Sequence, residues 1–201
     1  MKNAILPTIC ILLCTLCMIF VPTEAEASIY NDTVRLHILA PSDTVEDQNL
    51  KLEVRDMILK KYGDLFSKSK SAAEAAEAIR RELPSIKADC ERLILDTGYD
   101  YSVKAELSDE WFNTRDYTDF SLPGGTYTSL TVTLGEGEGQ NWWCVMYPPL
   151  CLDASLGKTP ASYSESEINL ITGGGYRIKF KLLEVTAAVF DGQNKKLFKK
   201  G

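Results

Sequence analysis

The 201-residue chain has a single histidine, His37, and no G-x-S-x-G motif, so a Ser-His or Cys-His catalytic pair would have to recruit that one imidazole. Soft metal ligands are equally scarce. Beyond the first 27 residues only Cys90, Cys144, Cys151 and His37 remain, without the spacing of a zinc site. No Asp-rich calcium loop with a terminal Glu is present. Gly135, Gly137 and Gly139 alternate as in a phosphate-cradling loop, yet Glu136 and Glu138 between them are anionic and no Lys-Ser or Lys-Thr follows. Positive charge is in deficit, with 22 Lys and Arg against 28 Asp and Glu and a net charge of -6. That sign opposes a phosphate backbone. Past the N-terminus, no apolar run approaches the roughly 20 residues of a bilayer-spanning helix. These absences lead us to expect no catalytic residues, no metal, no cofactor, no nucleic acid and no small-molecule substrate.

What is present is a globular composition. At 45% hydrophobic and 25% charged, the chain can bury a core, and its length suits one domain. Lys2, the apolar run from Ile5 to Val21, Pro22 and the small-residue flank Ala25-Glu26-Ala27 have the order of a secretory signal cleaved after Ala27. The run is longer than a usual signal core, which leaves an uncleaved N-terminal anchor as the alternative for residues 1–27. Residues 28–201 then form a single domain ending in the basic tail Lys195-Lys196-Leu197-Phe198-Lys199-Lys200.

Val34, Leu36 and Ile38 alternate with Arg35 and His37, a half-buried strand that stops at Ala40-Pro41-Ser42-Asp43. Ser42 or Asp43 is placed to cap a helix carrying Leu50, Val54, Met57 and Ile58 to about Tyr62. Ser71 and Glu74 have capping-box spacing ahead of a second helical segment. Pro84 should break or kink it before periodicity resumes through Ile86, Cys90, Leu93 and Ile94 to a Gly98 cap. Strands follow from Tyr101 to Leu107, with one wet face, and from Tyr127 to Leu134. Residues Asn141 to Tyr147 read as the return strand of a hairpin whose loop is residues 135–140. A short helix near Glu165 to Ile171, and a segment from Tyr176 that begins as a strand and continues as a helix through Phe190, complete the reading. The predicted fold is α+β, with N-terminal helices packed on a mainly antiparallel β-sheet.

Gln140, Asn141, Trp142 and Trp143, running into Cys144, concentrate adhesive side chains. Adjacent tryptophans on a strand face opposite ways, so one can pack inward while the other meets a partner, or both can be packed. Pro148-Pro149 could bend the chain so that Cys144 and Cys151 meet as a disulfide in an oxidising compartment, stiffening this segment. His37 and Asp43 are polar candidates beside it. Cys90, among Ile86, Leu93 and Ile94, reads as a small buried apolar residue.

Three blocks carry a family pattern. They are Arg35-Leu36-His37-Ile38-Leu39-Ala40-Pro41-Ser42-Asp43 with Glu46-Asp47-Gln48 and Lys51 to Asp56; Leu122-Pro123 with Gly125; and Gly135 to Cys151. Together they closely resemble the stage II sporulation protein R family of endospore-forming bacteria, over roughly Thr33 to Phe190. Pro41 stands where that pattern has Asn. The resemblance implies a non-enzymatic signal, exported from the forespore into the space between forespore and mother cell. There such proteins trigger a membrane-embedded aspartic protease of the mother cell to cut the sigma-E precursor. A secreted cell-wall or peptide hydrolase using His37 and a thiol is the competing expectation.

Overall fold

The computed structural model describes residues 24–117 and 121–149 and the isolated positions Cys10, Cys14 and Ser166. The chain divides into two compact units, a larger one of residues 29–111 and 126–164 and a smaller one of residues 1–28, 112–125 and 165–201. In chain order the elements are α1 (Glu24–Asn31), β1 (Val34–Leu39), α2 (Val45–Ser67), α3 (Ala72–Asp96) and β2 (Val103–Phe112), followed by β3 (Arg115–Asp116), β4 (Ser121–Leu122), β5 (Gly125–Leu134) and β6 (Asn141–Tyr147).

The main sheet has the order β2-β5-β1-β6. β1 runs parallel to β5, with Leu36 opposite Leu130, and antiparallel to β6, with Leu36 opposite Cys144. Gly135 N donates to Ser102 O at one end of β2 and β5, and Thr128 meets Asp109 toward the other, so these two strands are antiparallel. The fold is therefore α+β, as the sequence predicts. One sheet face is covered by α2 and α3: Leu36, Ile38, Leu130, Val132, Cys144 and Met146 join Leu50, Val54 and Ile58 of α2 and Ile79, Ile86, Cys90 and Ile94 of α3 in one core. Burial of each such aliphatic side chain contributes about 1.5–3 kcal/mol, far more than any single cap. In the smaller unit β3 and β4 form an antiparallel pair with Asp116 opposite Ser121, whose hydroxyl donates to the Asp116 carboxylate at 2.5 Å.

Three expectations need correction. Asn141 to Tyr147 is a strand, but not the return strand of a hairpin, because β1 lies between β5 and β6. Neighbouring strands sit about 4.8 Å apart, so the loop after β5 must cross two such spacings over the end of β1, too far for a tight turn. Of the expected break or kink at Pro84 the break does not occur, since Pro84 lies inside a continuous α3. Its interior cost of about 3 kcal/mol is offset by fully buried Ile79, Ile86, Cys90 and Ile94, before and after it on one face. The cap of α2 is Thr44, whose hydroxyl accepts from Asp47 N at 3.3 Å. Ser42 and Asp43 are occupied elsewhere, the first donating to the Asp47 carboxylate at 2.5 Å and the second accepting from Gln140 N at 2.7 Å. The Ser71 cap and the Gly98 terminus, with φ +88°, are as expected. Apart from Ser166, the helix near residue 165 and the elements beyond it lie outside the described residues. So does the basic tail.

α2 and α3 are also joined by polar contacts. Tyr62, 4% exposed, donates its hydroxyl to Asp89 at 2.5 Å, and Lys61 pairs with the same carboxylate. The Lys61 and Tyr62 hydrogen bonds hold the Asp89 carboxyl below its usual range, against the opposing effect of burial. Tyr62→Phe keeps the ring and deletes the donor. It should destabilise the fold by about 1 kcal/mol, seen as a lower urea midpoint with an unchanged slope.

Candidate interaction site

The loop of residues 135–140 is fixed over the turn that leaves β1. Gly139 N donates to Ala40 O at 2.9 Å, and a side chain at Gly139 would collide with the Ser42 carbonyl. The next residue is clasped from both sides: Gln140 N donates to the Asp43 carboxylate at 2.7 Å, and Gln140 O accepts from Lys51 Nζ at 2.8 Å. Lys51 is only 4% exposed. Its second acceptor is Gln48 Oε1 at 2.5 Å, and Gln48 Nε2 donates in turn to Ser42 O at 2.8 Å. Burial pushes the Lys51 ammonium below its usual range, Asp43 opposes this and Arg55 adds to it. The backbone is held, yet the side chains of Gln140 and Asn141 are exposed.

β6 then sends its two tryptophans to opposite faces. Trp142, opposite Ile38, lies on the helix side with its ring 4.5 Å from the Arg55 guanidinium, and is half-buried. Trp143 sits opposite His37 and stacks on it, with ring centroids 3.7 Å apart and 13° between planes. The expected pair is thus divided between two environments. On the second face a buried polar row runs across three strands. His37 Nδ1 lies 2.8 and 3.0 Å from the two Glu110 oxygens, and Thr131 donates to Glu110 at 2.9 Å. An ionised carboxylate only accepts, so His37 Nδ1 carries a proton and donates to Glu110. Burial pushes the Glu110 carboxyl up, but the His37 bond and charge, Thr131 and Arg35 outweigh it and hold the group below its usual range. Arg35, fully buried, lies 5.0 Å from the Tyr127 ring.

His37 and Asp43 therefore belong to different clusters, one bonded to Glu110 and the other to Gln140. Cys144 is buried beside Leu36 on the helix side, on the face opposite to His37. Cys90 is buried within the core, where burial, then Asp89 and Glu91, push its thiol up to about 12. Neither sulfur is placed to form a nucleophile–base pair with His37. Cys151 lies outside the described residues. A cleft of about 640 Å³ opens beside the clasp, with Glu46, Asp47, Asp100, Glu136 and Glu138 around Tyr99 and Tyr101. So many carboxylates repel anionic ligands. Among the described residues no group of His, Cys, Asp or Glu is arranged to hold a metal ion, and no helix is long and apolar enough to cross a membrane.

The sequence reading missed Lys51, Gln48, Arg55 and Glu110. Lys51 left a signal, since it stands three and seven residues before Val54 and Ile58, at the edge of the apolar stripe of α2, where a lysine needs a reason. Two of the sequence blocks quoted above, residues 35–56 and 135–151, meet at this clasp. A profile of Stage II sporulation protein R (spore_II_R) matches residues 30–156. The chain belongs to the stage II sporulation protein R family. A curated protein named Stage II sporulation protein R, from Bacillus subtilis (strain 168), is 37% identical over 138 residues, 68% of this chain and 62% of that relative. The chain thus matches less than two thirds of that relative's length. No solved structure matches the chain. Family membership places the chain in sporulation, and the spore_II_R match takes in β1 through β6 and hence the whole clasp.

Proposed function

We propose that this chain is a non-enzymatic signal exported from the forespore, which activates the mother-cell membrane aspartic protease that processes the sigma-E precursor. The observation that carries the reading is the meeting of two family blocks at one clasp that fixes the Gln140 backbone and leaves Gln140 and Asn141 exposed. A binding surface needs such preorganisation, because side chains already in place lose little entropy on contact. Trp142, with Arg55 stacked on it, supplies apolar area at the edge of the same patch. Activation follows if the patch binds the active arrangement of the protease more tightly than the inactive one. The leader-like order of residues 1–27 supports export. A bridge between Cys144 and Cys151 across Pro148-Pro149 would stiffen the chain beyond this patch, and non-reducing mass spectrometry of the peptide pair tests it.

The test is co-expression of the full chain with the protease and the sigma-E precursor in a non-sporulating host. Wild type should give processed sigma factor, while Asn141→Arg, an exposed change, should lower processing at least about tenfold with an unchanged melting temperature. A wild-type chain that leaves the precursor uncut overturns the activator reading. Full processing by both Asn141→Arg and Trp142→Ala overturns the assignment of the surface.

A further inference from the structure

We infer that Lys51 is a positioning residue whose buried ammonium, together with Asp43, holds the Gln140 peptide so that the Gln140 and Asn141 side chains are presented to the partner. The inference rests on the activator reading and deepens it by naming what sets the contact geometry. A lysine with 4% exposure has given up most of its hydration. It recovers hydrogen bonds only from two neutral carbonyl oxygens, Gln140 O at 2.8 Å and Gln48 Oε1 at 2.5 Å. Pure stability would be served as well by an apolar residue on this stripe of α2, since a buried charge without a paired carboxylate in direct contact seldom repays its desolvation. What a charged donor adds is direction. Its bond to Gln140 O and the Asp43 bond to Gln140 N fix the peptide groups on both sides of one residue whose side chain is exposed. Gln48 steadies the ammonium and ties it to Ser42 O, in the turn against which Gly139 is packed. The loop's position, the helix N-terminus and the turn after β1 are thereby set by one hydrogen-bonded chain.

The experiment follows two readouts in the full chain, amide exchange at Gln140 and Asn141 and sigma-E precursor processing in the co-expression assay. Lys51→Met fits the stripe and removes the donor. Asp43→Ala is an exposed change that opens the other side of the clasp without disturbing the core. Both should speed exchange at these amides about tenfold, leave exchange in α3 and β1 unchanged, and lower processing by a similar factor. Gln140→Ala should lower processing while exchange stays at the wild-type rate, because it removes what is presented and keeps what holds it. Faster exchange in Lys51→Met and Asp43→Ala with full processing would overturn the positioning role and leave the activator reading standing. Lost processing with unchanged exchange in Asp43→Ala would overturn the clasp. A wild-type chain inert toward the protease, by contrast, removes the activator reading and this inference with it.

Discussion

Gly139→Ala lowers the melting temperature of the protein by about 10 °C, the larger of two stability effects expected outside the hydrophobic core. An added Cβ would stand within collision distance of the carbonyl carbon and oxygen of Ser42. Those are backbone atoms in a turn already fixed by Gln48 and by the α2 cap, so no side-chain rotation relieves the clash. The loop must lift, and lifting it stretches the bond from Gly139 N to Ala40 O and loosens the Gln140 clasp next to it. Overpacking of this kind costs about 1–3 kcal/mol, and the lost hydrogen bond adds about 1 kcal/mol. Glu138→Ala, one residue away and exposed, is the matched control and should change stability by less than about 0.5 kcal/mol. Thermal melts of the two variants decide the matter. A Gly139→Ala protein melting within about 2 °C of wild type would mean that the loop does not lie against the turn after β1.

The crossing that makes Gly139 critical also marks where the sequence could be read and where it could not. Alternation in Val34–Ile38 and Tyr101–Leu107, the Thr, Val and Leu content of Tyr127–Leu134 and the apolar stripe of α2 are local signals, because backbone geometry and side-chain shape alone set which residues share a face or fit a pleated strand. Each of these became the expected element, except that β1 is buried on both faces, Arg35 and His37 included, where its alternation reads as a half-buried strand. Strand order is not local. The alternating glycines of residues 135–140 fit a hairpin loop and a crossing loop equally well, and only the insertion of β1 between β5 and β6 separates them. Pro84 misled for a related reason: its helix-breaking tendency is intrinsic, whereas the buried row that keeps α3 continuous is tertiary. For the site, Gln140, Asn141, Asp43 and His37 could be picked out as polar residues near the turns, and Lys51 stood out on the α2 stripe. That Lys51 bonds Gln140 and Glu110 bonds His37 could not be read, since 89 and 73 positions separate the partners.

Glu110→Ala removes the acceptor on which the second sheet face converges, and is expected to cost about 2 kcal/mol. His37 Nδ1 and the Thr131 hydroxyl both bond to that carboxylate, and both residues are less than a tenth exposed. Without it, two donors remain on a face where little water reaches them, and the stack of His37 on Trp143 loses the bond that orients the imidazole. Glu110→Gln separates charge from hydrogen bonding, since an amide oxygen still accepts but carries no charge. The pH dependence gives the sign. The Glu110 carboxyl is held below the ordinary glutamate value of about 4.3 in the folded protein, so the unfolded chain takes up its proton first as pH falls. Its contribution is complete above that value and is lost as pH drops through the lower folded one. Wild type should therefore exceed Glu110→Gln in stability at pH 7, and the difference should shrink steadily below about pH 4.5. Urea midpoints of both proteins from pH 7 down to pH 3 measure this. A difference that stays constant across the range, or grows toward acid, would show that the His37–Glu110 contact does not stabilise the carboxylate form of the sheet's second face.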